Sequence, residues 1–277
     1  MNYIFVNLKR FDIPKAMGGL NSTEPRKWGS YIVNNLQGLL TRFGNDLECT
    51  VFFPEAHLID AVESKCPGSK VHIGCQGVFR QDVEKGGNFG AFTTNRTAAS
   101  AAALGCEYTI IGHCEERADK REIMAASGGT DFSAVDRIMN EEVQCAQKAG
   151  LKVLYCIGEK EEEQKNWREV ISNQLKVGLA GVDLKRIFIA YEPVWSIGPG
   201  KPVPDREYIQ KVAALSKRIY PDVPVLYGGG LKEDNASMIA SIPEINGGLV
   251  GLTRFQGEIG FYPVEFIRIV SKYLGKE

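Results

Sequence analysis

A carboxylate, an imidazole, an ammonium and a carboxamide are spread through this chain, and each follows an apolar run. Glu192 closes "IFIAYE", His113 closes "YTIIGH", and Asn7 and Lys9 lie in "FVNLKR". Glu115 stands two residues after His113. A carboxylate at the edge of a core is a candidate general base. Imidazole and amide N–H groups can stabilise negative charge on oxygen, and an ammonium adds a fixed positive charge. Two glycine-rich ends, "YGGGLK" (227–232) and "NGGLVGL" (246–252), stand beside them in the same kind of position. Read singly, a strand-terminal Asn or Lys is a turn former or a solvated charge, Glu192 is a loop acid, and the glycines make a tight turn. Independent accidents would not all fall at the ends of apolar runs, so the set points to acid–base chemistry.

These residues need a scaffold that brings strand ends together. Short β-rich apolar runs are expected at Tyr3–Val6, Cys49–Phe53, Val71–Gly74, Tyr108–Ile111, Val153–Ile157, Ile187–Tyr191, Val223–Tyr227 and Gly248–Gly251. Amphipathic stretches lie between them at Trp28–Phe43, Thr97–Leu104, Phe132–Ala149, Glu161–Val177, Asp205–Ile219 and Pro263–Tyr273. Alternation of strand and helix implies βαβ units and a parallel sheet. Eight such units predict a closed (β/α)₈ barrel, an α/β fold, as a single domain over residues 1–277, with function at the loops after the strands. An open doubly wound sheet is the competing architecture, but no dinucleotide glycine fingerprint follows the first strand. Ala125–Ser133, "AASGGTDFS", reads as a polar loop.

Composition narrows the partners. The 277 residues are 44% hydrophobic and carry a formal net charge of −1, which gives no support for nucleic acid or an anionic membrane. No apolar run is long enough to cross a bilayer, and the N-terminus enters a strand without a basic leader. Seven scattered cysteines with no CxxC pair argue against a zinc site or a disulfide framework, and the cytosol (a cytoplasmic protein) is the expected compartment. His57 and His72 read as structural.

Six segments carry a resemblance: "NLK", "GAFT" (90–93), "IGHCEER", "CIGE" (156–159), "AYEPVWSIGPGK" and "LYGGG". In that order they resemble the signature segments of the triosephosphate isomerase family. The resemblance implies a TIM barrel, usually a homodimer, that interconverts an aldose and a ketose phosphate without metal or organic cofactor, in the setting of glycolysis and gluconeogenesis. It implies Glu192 as the base, held in direction by Pro193, because a residue before proline is biased to extended backbone. His113 would be the neutral electrophile, Lys9 a positive charge, Asn7 a hydrogen-bond donor and Glu115 the partner that orients Lys9. "VWSIGPGK" would be a lid bringing the Gly198 N–H to the phosphate. Gly229, Gly230, Gly251 and Leu252 would line the phosphate end, and "GGNFGAFTTNRT" would insert into a second subunit.

Departures from that pattern cluster away from the base. Gly230 replaces a serine, Leu252 a glycine, and the bulky Arg254 follows. Pro199, Pro202 and Pro204 stiffen the far hinge. Glu116 and Asn95 replace an arginine–glutamate pair of the interface, with Arg96 as a substitute partner for Glu116. The favoured substrates are therefore dihydroxyacetone phosphate and D-glyceraldehyde 3-phosphate. The alternatives are a tetrulose phosphate, or an inactive barrel that binds a phosphorylated metabolite.

Overall fold

A computed structural model describes residues 1–198 and 201–276. Eight strands, β1 (Asn2–Asn7), β2 (Leu47–Phe53), β3 (Val71–Cys75), β4 (Tyr108–Ile111), β5 (Lys152–Ile157), β6 (Ile187–Tyr191), β7 (Val225–Tyr227) and β8 (Gly247–Val250), pair in sequence order. Every pairing is parallel, and β1 pairs with both β2 and β8, so the barrel closes. Around it run α1 (Trp28–Leu40), α2 (Leu58–Glu63), α3 (Ala98–Ala103), α4 (Cys114–Ala126), α5 (Ser133–Lys148), α6 (Trp167–Gly178), α7 (Arg206–Ile219), α8 (Ala236–Ala240) and α9 (Pro263–Leu274). None of the described helices is long and apolar enough to cross a membrane.

Local chemistry sets several of these limits. Thr97 and Asp205 cap α3 and α7, accepting from the main-chain N–H of Ser100 and Tyr208 at 3.2 and 2.7 Å. α1 buries Trp28, Ile32, Val33, Leu36 and Leu40, one stripe at helical spacing that docks on the barrel.

The strands are apolar on both faces because helices cover the outside and side chains fill the inside. Ile4, Val6, Val51 and Phe53 pack toward the helices, while Phe5, Phe52, Tyr108, Ile110, Phe188 and Ala190 form the separate inner cluster. Phe5 lies at the centre of the floor, with ring centroids of Phe52, Tyr108 and Phe188 at 6.0, 5.6 and 5.5 Å in edge-to-face contact. Strand periodicity then aims the functional groups. Asn7 is two residues beyond Phe5, and Glu192 continues the alternation of Phe188 and Ala190, so both fall on the inward face above the floor.

The structure shifts several predicted boundaries. β7 starts at Val225 rather than Val223, since Pro224 has no N–H for a ladder. β8 ends one residue before Gly251. α4 runs to Ala126, which shortens the polar loop, and α6 begins at Trp167 after a 3₁₀ turn at Gln164–Asn166. Helices α2 and α8, of six and five residues, carry too few turns to show a period in sequence.

Candidate active site

The predicted residues converge on one cavity of about 560 Å³ at the C-terminal ends of the strands. Asn7, Lys9, His113 and Glu192 line one side of it; Gly198, Gly229, Gly230, Gly251 and Leu252 line the other. Glu115 borders an adjoining hollow of about 420 Å³ on the far side of Lys9, together with Gln76 and Glu116. Pro199 and Gly200, in the expected lid, lie outside the described residues.

Glu192 is 2% exposed. Its slot is cut by glycines: a Cβ on Gly158 would stand 1.8 Å from the Glu192 carbonyl oxygen, and one on Gly228 would stand 2.8 Å from its Cγ. The main-chain N–H of Cys114 donates to Oε2 at 2.8 Å, and His113 Nε2 lies 3.2 Å from Oε1. Burial raises the Glu192 pKa above that of an ordinary carboxylate; His113, the Cys114 N–H, Lys9 and Arg117 pull it partly back.

His113 is the N-cap of α4, and its Nδ1 accepts the N–H of Glu115 at 3.4 Å. A nitrogen that accepts keeps its lone pair, which assigns the ring proton to Nε2, the atom facing Glu192. Glu115 Oε2 stands 3.7 Å from Nδ1, beyond hydrogen-bond reach.

Lys9 adopts φ +43°, a left-handed backbone uncommon outside glycine. Its N–H donates to Asn7 Oδ1 at 3.1 Å, and Nζ donates to Glu115 Oε1 at 2.6 Å. Burial raises the Glu115 pKa, but the Lys9 ammonium outweighs it and leaves a net lowering. Gln76, at the end of β3, places its amide nitrogen 3.2 Å from Asn7 Oδ1 and 3.0 Å from the Lys9 carbonyl. Both contacts of Asn7 fall on its oxygen, so its NH₂ is left to face the cavity. Gln76 is a site residue that the sequence reading missed, although it follows a strand as the others do.

Two more residues, the last of the segments "IGHCEER" and "CIGE", support the site. Arg117 is buried and donates to the carbonyls of Gly112 and Cys156 at 2.8 and 2.9 Å and to Asp136 at 2.6 Å, tying the ends of β4 and β5 beneath His113. Glu159 is fully buried, and its Oε1 accepts from Tyr191, Trp195 and Tyr208 at 3.0, 2.8 and 3.0 Å. Trp195 sits in the 3₁₀ turn Val194–Ser196 that opens the expected lid, so Glu159 fastens that segment to the barrel. Such contacts join residues remote in sequence, so the segments mark these two residues but not their partners.

His113, Cys114 and Glu192 bring N, S and O donors within 4.8 Å of one another. Burial and then Glu192 push the Cys114 thiol well up, and the two Glu192 oxygens have partners in the Cys114 N–H and His113 Nε2.

At the other wall, the N–H groups of Gly229 and Gly230 have no acceptor among the described residues. Phe255 and Ile259 also line the cavity, from a loop closed on itself where the Thr253 and Arg254 N–H groups reach the Gly260 carbonyl at 3.1 Å. Arg254 turns outward: Nε donates to Glu265 at 2.9 Å and the guanidinium lies over Tyr262 at 4.1 Å. Arg96 is likewise engaged within the chain, donating to Glu55 at 3.2 Å, while Glu116 binds the Gly112 N–H and Lys120 at 2.7 and 2.5 Å. His57 and His72 are structural, held by Asp12 and Glu107 at 3.1 and 2.5 Å.

The family model for triosephosphate isomerase matches residues 27–272. The chain belongs to the triosephosphate isomerase family. It is similar to the triosephosphate isomerase of Acaryochloris marina, 33% identical over 203 residues, which are 72% of this chain and 77% of the relative. The triosephosphate isomerase of Bdellovibrio bacteriovorus is 35% identical over 208 residues, 73% and 79% of the two chains. A crystal structure of triosephosphate isomerase from Bartonella henselae superposes with TM-score 0.72 at 25% identity, covering 99% of each chain. As a member of the triosephosphate isomerase family the protein is an enzyme, an isomerase built on a TIM barrel.

Proposed function

We propose that the protein interconverts dihydroxyacetone phosphate and D-glyceraldehyde 3-phosphate, with no cofactor. The observation that carries this reading is that Glu192, His113, Lys9 and Asn7 open onto the same cavity, with Glu192 Oε1 3.2 Å from His113 Nε2. Substrate entering between the two replaces their mutual contact. Glu192 takes a proton from the carbon beside the carbonyl, and the electron pair moves onto the carbonyl oxygen. The Nε2–H of His113, the Asn7 amide and the Lys9 ammonium face the enediolate oxygens. The hydroxyl proton passes from one enediolate oxygen to the other by way of His113 Nε2, and Glu192 returns its own proton to the neighbouring carbon, so the reaction needs no other reactant. Dryness favours this chemistry: a carboxylate that burial makes more basic is better matched to a neutral working pH. Trp195 and Ile197, on the lid, would exclude water.

Gly198, Gly229, Gly230, Gly251 and Leu252 would receive the phosphate. The chain would act as one domain, in the cytosol, as a homodimer joined through the loop that carries Phe89, which is 82% exposed. A second reading, a tetrulose phosphate as substrate, draws on the apolar wall that Leu252, Phe255 and Ile259 add to the cavity. Turnover of the purified protein on triose and on tetrulose phosphates decides between the two. Fast triose turnover, lost by 10²–10⁴-fold on the order of a general-base defect in Glu192→Asp, supports the first reading; preference for the longer sugar supports the second, and no turnover on either overturns both.

A further inference from the structure

The phosphate end of the cavity has glycine at residue 230 and so offers no side chain there, yet an ammonium stands beside it. Lys232 lines the cavity. Its Cε lies 3.8 Å from the point a Cβ on Gly230 would occupy, so its stem runs along the space that the missing side chain leaves. Nζ sits 4.2 Å from the centroid of the Phe255 ring, which belongs to the loop between Gly251 and Tyr262. The ring holds the cation without neutralising it.

The backbone around Lys232 is fixed. Its N–H donates to Asn235 Oδ1 at 2.8 Å, and Asn235 Nδ2 donates back to the Gly230 carbonyl at 3.0 Å. The adjacent acid, Glu233, faces Arg268 and Lys272 at 3.7 and 3.6 Å instead. Among the described residues no carboxylate pairs with Lys232, whereas Lys9 across the cavity is paired with Glu115. The unpaired ammonium and the free N–H groups of Gly229 and Gly230 therefore face the same space.

We propose that Lys232, held against Phe255, is a side-chain ligand of the substrate's phosphate and selects for a dianionic phosphate monoester. The assignment rests on the isomerase reading for the identity of the substrate, but not for the binding of phosphate itself. A positive point charge suits this place, because three rotatable N–H donors can follow a tetrahedral anion that the main chain grips from the other side. Phe255 acts as a positioning residue, keeping the stem from swinging into solvent.

Inorganic phosphate, titrated calorimetrically into the purified protein, is the probe, alongside steady-state turnover of glyceraldehyde 3-phosphate. Lys232→Met keeps the stem on the ring and removes the charge. Phosphate binding is expected to weaken about tenfold or more, as loss of a charged hydrogen bond requires. KM should rise by a similar factor while kcat changes by less than about threefold, the pattern of lost uniform binding. Lys232→Arg should restore most of the affinity, and Phe255→Leu should weaken it by only about two- to fivefold. Phosphate affinity and KM in Lys232→Met equal to those of the parent would overturn the proposal. If the parent turns over neither triose nor tetrulose phosphate but Lys232→Met still loses phosphate, the isomerase reading falls and the role of Lys232 stands.

Discussion

The two walls of the cavity are built on different principles. On the side of β1, β4 and β6, every functional side chain is aimed by a partner: Asn7 by Gln76, Lys9 by Glu115, His113 by the helix it caps, Glu192 by the Cys114 N–H. On the side of β7 and β8, the wall is main-chain N–H groups, glycine, the apolar side chains of Leu252, Phe255 and Ile259, and the Lys232 ammonium lying on a ring. Proton transfer demands particular atoms at particular distances, and a small displacement of the base is costly in rate. Gripping an anion demands only positive potential and donors, which many side chains supply. The departures at Gly230 and Leu252 fall on the second wall, where tolerance is physically expected.

The contrast can be broken most directly at Glu192. Glu192→Gln is expected to lower kcat by roughly 10²–10⁴ while KM stays within a few-fold, measured by steady-state kinetics. It should leave the thermal midpoint unchanged or raised, because an amide is cheaper to bury than a carboxylate; a midpoint that drops would mean that the carboxylate is structural. Alanine at two glycines then tests tolerance against Glu192 and away from it. At Gly228 a new Cβ would meet Glu192 Cγ at 2.8 Å and the Tyr191 carbonyl oxygen at 2.9 Å, so Gly228→Ala should cost about 1–3 kcal/mol of stability and much of kcat. At Gly251 nothing lies within 4 Å, so Gly251→Ala should change stability by less than about 0.5 kcal/mol. Equal losses in chemical denaturation would erase the distinction between the walls.

The pH profile sharpens it further. Burial raises the Glu192 pKa, so the base is lost by protonation as pH falls, and the acidic limb of kcat/KM should lie above the 4.5 of an ordinary glutamate. Lys9 opposes that rise, so Lys9→Met should move the limb to higher pH. A limb that stays put would show that Lys9 is too screened to matter. The smallest effect is expected at Tyr208, one of three donors to Glu159. Tyr208→Phe should cost about 1 kcal/mol in thermal unfolding and a few-fold in kcat/KM.

Most of the barrel was legible because a strand covered on both faces must be apolar throughout, and such runs stand out between amphipathic helices. Val223 was misread as strand because its apolar character says nothing about the missing N–H of Pro224. The place of Glu192, His113 and Lys9 in one cavity was legible from their type and position at strand ends. The partners of Arg117 and Glu159, and the slot made by Gly158 and Gly228, were not, since each works through a contact between residues dozens of positions apart. Gln76 follows the same strand-end rule as Asn7 and could have been found by applying it to β3.

The rings of Phe5, Phe52, Tyr108 and Phe188 seal the barrel beneath Asn7 and Glu192. A vessel stoppered at its base has a single mouth, so product must retrace the route by which substrate arrived. On the proposed reading each catalytic cycle needs that mouth to shut and to reopen, and the segment fastened at Trp195 would set how quickly the chamber empties as well as how dry it stays.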